Sequence, residues 1–411
     1  MNKIIKKNKE CRICFSRNLK KVLSYRSTPI GDEFLLNKYI KQPLYPIELY
    51  LCFDCGLSQL LHVIDPKILY SNYIYKTSDS PGLKKHFDKL SLHILKKFSL
   101  KKESNILDIG SNDGVLLNAF KKRGFRVIGI EPAEKLVKIA NNLDIKTYKG
   151  FLNKEIVHKI LQKEKKFDLI FSNNVLANVD NLNEWVSNIK VLLNDNGIYV
   201  FETYYLLDLL KNSVFDFIYH EHLSSFSVKP LHYLFKKFGL DLFYVENIPT
   251  KGGSIRCYVK HSKSNNKMSN NINRFINNEI MNGIYEKKIF KNFHNKINKL
   301  KVSTNNKVKS LYKYNKKIIG YGASISCVTL MYHFQIHKYL DYLVDDNKTK
   351  INTYSPGQKI KVISFKDLLK KDFDVIIILA WRFSDSIFNK IKNICKKKIV
   401  IIPCPKFTIY E

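Results

Sequence analysis

The chain has 411 residues, 45% of them hydrophobic, enough for two or three packed domains. No apolar run approaches the ~20 residues of a membrane span, and the lysine-rich start, Met1 to Glu10, lacks a signal core, so a cytoplasmic protein with no membrane partner is expected. Lys and Arg number 70 against 36 Asp and Glu, a formal charge of +34, yet the lysines are scattered among Asn and Ile over the whole length, which reads as composition rather than a nucleic-acid stripe and also suits an anionic small substrate.

Residues 1–70 hold two cysteine pairs, Cys11-Arg12-Ile13-Cys14 and Cys52-Phe53-Asp54-Cys55-Gly56. Two residues between cysteines let both sulfurs face one ion, and two such knuckles complete a tetrahedral Zn²⁺ site. Disulfides are the alternative, disfavoured in a reducing compartment. Four thiolates leave no open position, so this zinc is expected to be structural. Cys257, Cys327, Cys395 and Cys404 read as buried thiols. Residues 71–100 carry an aromatic and hydroxyl cluster around Tyr75, followed by a helix with Phe87, Leu90, Ile94 and Leu95. That cluster is either a flap over a ligand or a helix cap.

Within the predicted domain 71–262, strand and helix alternate from about residue 101. Strands are predicted at Asn105–Ile109, Arg126–Glu131, Lys146–Tyr148, Phe167–Ser172 and Gly197–Glu202, with a hairpin of Leu240–Glu246 and Ser254–Lys260. This is an α/β pattern with a mostly parallel sheet. After the first strand, Gly110 permits a tight turn and Gly114 a close helix start. Glu131, at the tip of the second strand and about 20 residues on, is placed for a ribose. The turn carries Asp108, Asn112 and Asp113, whose carboxylates would repel a pyrophosphate but suit a sulfonium with an ammonium, so S-adenosylmethionine is expected rather than NAD. Ligands in such sheets bind beyond the strand carboxyl ends. Pro132, Phe151, Asn173 and Asn174 lie there.

After the fifth strand comes Phe217-Ile218-Tyr219-His220-Glu221-His222-Leu223, a site for acid–base chemistry or a solvated loop. His220 and His222, at i and i+2, do not share a helix face, which disfavours a metal there. Residues 263–315 read as joining helices. Residues 316–411 restart with Gly320-Tyr321-Gly322-Ala323 after a strand and read as a second, smaller α/β unit.

These strings together resemble the three-domain, S-adenosylmethionine-dependent sugar C-methyltransferases that act on nucleotide-linked keto-sugars. The resemblance spans nearly the whole chain. It is carried by the cysteine knuckles with Cys55-Gly56-Leu57-Ser58-Gln59-Leu60, by Tyr75 with Ser78 and Ser80, and by Ile109 through Gly114. It continues through Glu131-Pro132, Asn173-Asn174-Val175, Asp216 through Leu223, Gly252-Gly253-Ser254, Asp345-Asp346-Asn347 and Ala380-Trp381. The resemblance implies a class I methyltransferase Rossmann-like domain between a small zinc-binding domain and a C-terminal Rossmann-like domain that helps hold the sugar nucleotide. It implies that Tyr219, Glu221 and His222 line the sugar, with His222 the base. Asn178 stands where the family commonly has histidine, and with Tyr219 is a candidate donor to an enolate. Tyr75, His220, Gly253, Arg256 and Tyr321 are further substrate candidates. Lys251 replaces a histidine often found before Gly252-Gly253, and Ser324-Ile325-Ser326-Cys327 replaces a lysine-containing turn. An O-methyltransferase, or a nucleic-acid methyltransferase, is the rival reading. A monomer or small homo-oligomer is expected.

Overall fold

The computed structural model describes residues 4–71, 73, 75–79, 81–264 and 270–411. Ser80, one of the residues carrying the resemblance, lies outside them.

The central sheet has seven strands. In chain order they are β1 (Asn105–Ile109), β2 (Arg126–Glu131), β3 (Thr147–Lys149), β4 (Phe167–Asn173), β5 (Leu193–Tyr204), β6 (Leu240–Ile248) and β7 (Ser254–His261). Their spatial order is β6-β7-β5-β4-β1-β2-β3. Only β7 runs against its neighbours. The strand order reverses beside β1, so a crevice opens at the carboxyl ends of β1 and β4. Strand β5 begins before the predicted Gly197 because an irregularity between Leu193 and Ile198 lets it pair with β4 twice. Both faces of the sheet are covered. Phe87, Leu90 and Ile94 of the helix Pro81–Lys97 pack on one, with Leu116, Leu117 and Phe120. Trp185, Val186 and Ile189 cover the other.

The cysteine module is a four-stranded sheet, ordered Ser224–Ser225, Ser58–Leu60, Tyr45–Cys52, Leu19–Thr28. Its edge strand therefore comes from the middle of the chain, directly after Tyr219 to Leu223. The last unit is a six-stranded sheet, parallel except for its edge Thr408–Tyr410. That edge and Lys361–Ile363, three residues each, were not predicted. The joining helices are Ile272–Met281 and Lys287–Lys313. The second buries Phe290, Phe293, Ile297, Thr304, Val308 and Leu311, spaced by three, four or seven as one helix stripe.

Candidate active site

The turn after β1 is built by backbone conformation. Gly110 has φ +71°, and a Cβ there would lie 2.5 Å from Val175 Cγ2. The Gly110 and Ser111 N–H groups donate to the Ile130 carbonyl at 2.8 and 3.1 Å, which ties the turn to β2. Glu131 ends β2. Its Oε2 accepts the Asn112 N–H at 3.0 Å and its Oε1 the Ala133 N–H at 2.9 Å. Each oxygen keeps a lone pair, and the residue lines the cavity. Burial, and to a lesser degree Asp113, raises the Glu131 pKa. Burial followed by Glu131 pushes Asp108 up to about 8. A cation in this crevice would relieve both carboxyls.

Asn112 and Asp113 also hold the segment at 75–78. Asn112 Nδ2 donates to the Tyr75 carbonyl at 3.0 Å, and its Oδ1 accepts the Thr77 N–H at 2.9 Å. Asp113 Oδ2 accepts the Ser78 N–H at 3.1 Å. The segment is thus tied to the turn after β1, and Tyr73 and Tyr75 line the cavity there. Gly114 sits at a helix N-terminus where a Cβ would meet Ile145 at 2.9 Å. Packing against Ile145 and Ala140, rather than approach of a ligand, accounts for that glycine.

The crevice deepens into a cavity of about 480 Å³. Gly110, Asn112, Glu131, Pro132, Phe151, Asn173, Asn174 and Asn178 line it, as do Tyr75 and Glu221. The amide nitrogen and oxygen of Asn173 and the amide oxygen of Asn178 are buried with no hydrogen-bond partner among the described residues. Buried polar groups are normally paired, so these await a polar ligand. With the paired acids at Asp108 and Glu131, the donor set fits S-adenosylmethionine.

Successive side chains of the segment after β5 point to different places. His220 Nε2 lies 3.2 Å from the Tyr45 carbonyl, its ring edge-on to Tyr45, and burial holds its pKa down at about 4. His220 thus anchors the cysteine module. Glu221 faces the cavity, and its carboxylate accepts no hydrogen bond among the described residues. Burial and then Asp32 raise its pKa to about 8, against Lys350 and Lys251. His222 turns inward under Tyr204 and stacks on Tyr219 with centroids 4.1 Å apart. Its Nδ1 is 2.8 Å from the Phe217 carbonyl, an acceptor, so that nitrogen carries the proton. Its Nε2 then accepts the Tyr219 hydroxyl at 3.0 Å. Burial, then Lys251 and Arg382, lower the His222 pKa to about 3, so the ring is a neutral base.

Three other substrate candidates stand elsewhere. Arg256 joins Glu202 at 2.7 Å and Glu246 at 3.2 Å in a buried ion network that includes His86. Gly253 has φ +124° where a Cβ would lie 2.3 Å from Asp208 Cβ, so it shapes a turn. Tyr321 reaches Asp346 at 3.3 Å on the last sheet. None of these three lines the cavity.

The Sγ atoms of Cys11, Cys14, Cys52 and Cys55 all lie within 4.8 Å of one another, and these cysteines form no disulfide. The cluster fits one tetrahedral Zn²⁺. Arg12, inside the first knuckle, is buried and runs from this cluster to the cavity wall. Its Nε donates to Asp180 Oδ1 at 3.0 Å and its Nη1 to the Leu60 carbonyl at 2.5 Å. Asp216 grips the last sheet, accepting Trp381 Nε1–H at 3.0 Å and Arg382 Nη1 at 2.8 and 2.9 Å. Sequence reasoning missed Arg12, Asp180 and the grip of Asp216, and noted Lys251 only as a replacement for histidine, with no role. Lysine at φ +57° in a Lys-Gly-Gly turn was the one local signal among them.

Three family models match in chain order: a zinc binding domain over residues 11–70, a methyltransferase domain over 83–245 and a C-methyltransferase C-terminal domain over 249–405. C-methyltransferase NovU of Streptomyces niveus is 27% identical over 412 residues, covering 99% of this chain and 98% of that protein. Ubiquinone biosynthesis O-methyltransferase of Pelagibacter ubique is 27% identical over 137 residues, 32% of this chain and 56% of its own. Among solved structures, magnesium protoporphyrin IX methyltransferase of Synechocystis PCC 6803 with bound SAH aligns with a TM-score of 0.36 at 15% identity, covering 44% of this chain and 84% of its own.

Proposed function

Because the chain belongs to the S-adenosylmethionine-dependent C-methyltransferases, we propose that it methylates a carbon beside the ketone of a nucleoside-diphosphate-linked 4-keto-6-deoxy sugar. The observation that carries this reading is the neutral His222, fixed as the Nδ1–H tautomer with its basic nitrogen toward Tyr219; its neighbour Glu221 lines the cavity, while His222 and Tyr219 are not among the lining residues. A carbon acid needs a base free of its proton at neutral pH, and this histidine is one; the same burial weakens it as a base, so the proton transfer depends on stabilising the enolate. S-adenosylmethionine supplies an electrophilic methyl group when bound. Glu131 holds the ribose, and Asn173 with Asp108 receives the amino-acid end.

His222 takes the carbon-bound proton at Nε2, with the Tyr219 hydroxyl released toward the substrate oxygen. Glu221 orients the sugar. Asn178 and Tyr219 donate to the developing oxyanion. The flap at Tyr75, tied to Asn112, keeps water from the enolate. His220, Gly253 and Arg256 act at a distance, by holding the walls. The net charge of +34 suits a diphosphate-bearing substrate. A reducing cytoplasm keeps the cysteine cluster in its zinc-binding form.

The test is exchange of substrate deuterons flanking the ketone into water, measured without methyl transfer. Wild-type protein should catalyse it. His222→Asn should bind both ligands and lose turnover by ~10²–10⁴. O-methylation requires no carbon-bound proton to leave, so methyl transfer without exchange would refute the carbon-acid reading.

A further inference from the structure

We propose that Lys251 is the cationic group that holds the enolate oxygen. The proposal rests on the keto-sugar reading above. Four nearby cations, Arg382, Lys350, Arg256 and Arg12, are already engaged. Arg382 is bound to Asp216 and Ser326. Lys350 pairs with Asp32 and the Ala323 carbonyl. Arg256 is held by Glu202 and Glu246, and Arg12 by Asp180. Lys251 lines the same cavity as Glu221 and Asn178, and its ammonium makes no hydrogen bond or ion pair among the described residues. The other lysine lining that cavity, Lys67, is exposed.

The turn that presents Lys251 is rigid. Ser254 Oγ donates to the Thr250 carbonyl at 3.0 Å and Asn212 Nδ2 to the Gly252 carbonyl at 2.9 Å. Lys251 itself has φ +57°. A Cβ on Gly252 would lie 2.9 Å from Val214, so the chain follows this path with little freedom. A side chain placed in a sparsely occupied conformation and left unpaired in a cavity is typical of functional sites.

The charges facing Lys251 come from three elements: Glu202 on β5, Glu221 on the segment after it, and Arg382 on the last sheet. Burial lowers its pKa to about 8, against the pull of both glutamates. Glu202 is committed to His86 and Arg256. Glu221 attracts the ammonium without forming an ion pair with it among the described residues, so the cation is free to meet a charge that develops in the cavity. In the step proposed, the carbon–hydrogen bond beside the ketone breaks and the proton passes to His222 Nε2. The bonding pair delocalises onto the carbonyl oxygen, where the ammonium meets it. No other reactant is needed. A preorganised cation at a developing oxyanion in a dry site acts more strongly than a neutral amide such as Asn178.

The experiment uses the full chain and 4-keto-6-deoxyglucose linked to thymidine or uridine diphosphate, deuterated on both carbons flanking the ketone. Exchange is followed by NMR without S-adenosylmethionine. Lys251→Met keeps Cβ and an unbranched stem, so the backbone is undisturbed. Its exchange should fall by ~10²–10³, the usual loss on removing one oxyanion donor, with S-adenosylmethionine affinity unchanged by calorimetry. Wild-type exchange should decline above pH about 8 as the ammonium deprotonates. Lys251→Arg should recover most of the exchange and lose that alkaline decline. Wild-type exchange with an equally active Lys251→Met would overturn the proposal alone. So would a borohydride-trapped adduct at Lys251, which would mean covalent catalysis. A wild-type protein inert toward both keto sugars would overturn the reading beneath it.

Discussion

Replacing Asp216 by asparagine should destabilise the protein by about 3–5 kcal/mol, the range for breaking a buried ion pair from one side. The Asp216 side chain is 1% exposed and that of Arg382 15%. Three N–H···O bonds of 2.8 to 3.0 Å converge on the carboxylate. An amide keeps one acceptor oxygen, shared by Trp381 and Arg382, but turns an NH₂ toward the guanidinium, so Arg382 loses its counter-charge and keeps only neutral acceptors, that oxygen and Ser326 Oγ, while pressed on the Phe217 ring 4.2 Å away. The assay is urea unfolding followed by fluorescence, since Trp381 is one of only two tryptophans. Arg382→Met in the Asp216→Asn background removes the orphaned cation and should restore part of the loss, giving a coupling energy of ~1.5–3 kcal/mol. Activity should fall as well. The Phe217 carbonyl, one residue on, fixes the His222 tautomer. A loss below ~1 kcal/mol, or strictly additive mutants, would refute the clamp.

Purified protein should carry about one tightly held Zn²⁺ per chain; metal analysis showing none, with Cys11 and Cys55 freely reactive, would exclude the site. Glu131→Ala should weaken S-adenosylmethionine binding in calorimetry by about 1.5–3 kcal/mol for each ribose hydrogen bond lost, and Glu131→Gln by less; equal affinity in wild type and both mutants would place the cofactor elsewhere. Arg12→Met should retain zinc yet lower turnover, because Asp180 and the Leu60 carbonyl lose their shared donor; turnover lost only together with zinc would make Arg12 a mere part of the knuckle. The folded-state pKa of His220 is held near 4 against an ordinary 6.5. The unfolded chain therefore binds a proton first, and stability drops as pH falls from 6.5 toward 4, by about 3 kcal/mol from this one group. His220→Asn should flatten that slope in urea titrations run across the interval.

Much of the fold was legible because its signals are local. Apolar runs such as Ile106 to Ile109 and Val127 to Ile130 declare parallel strands buried on both faces. The glycine at residue 110 and the acid at 131 mark a cofactor turn from their spacing along one βαβ unit. The cysteine knuckles announce themselves within four residues each. Lys361–Ile363 and Thr408–Tyr410 were not legible, because only their neighbours make them strands.

By itself the sequence determined the layered α/β architecture, the thiolate cluster and the cofactor crevice, since each rests on hydrophobic period or on residues a few positions apart. The tertiary structure decided what those parts do to one another. It brought Arg12 to Asp180 across 168 residues and Trp381 to Asp216 across 165. It sent His220, Glu221 and His222 to the cysteine module, the cavity and the Phe217 carbonyl in turn. It also left the Lys251 ammonium without a hydrogen-bond or ion-pair partner among the described residues. Whether a charge is paired or free, and which nitrogen of an imidazole keeps its proton, depends on atoms supplied by remote segments once the whole core has closed.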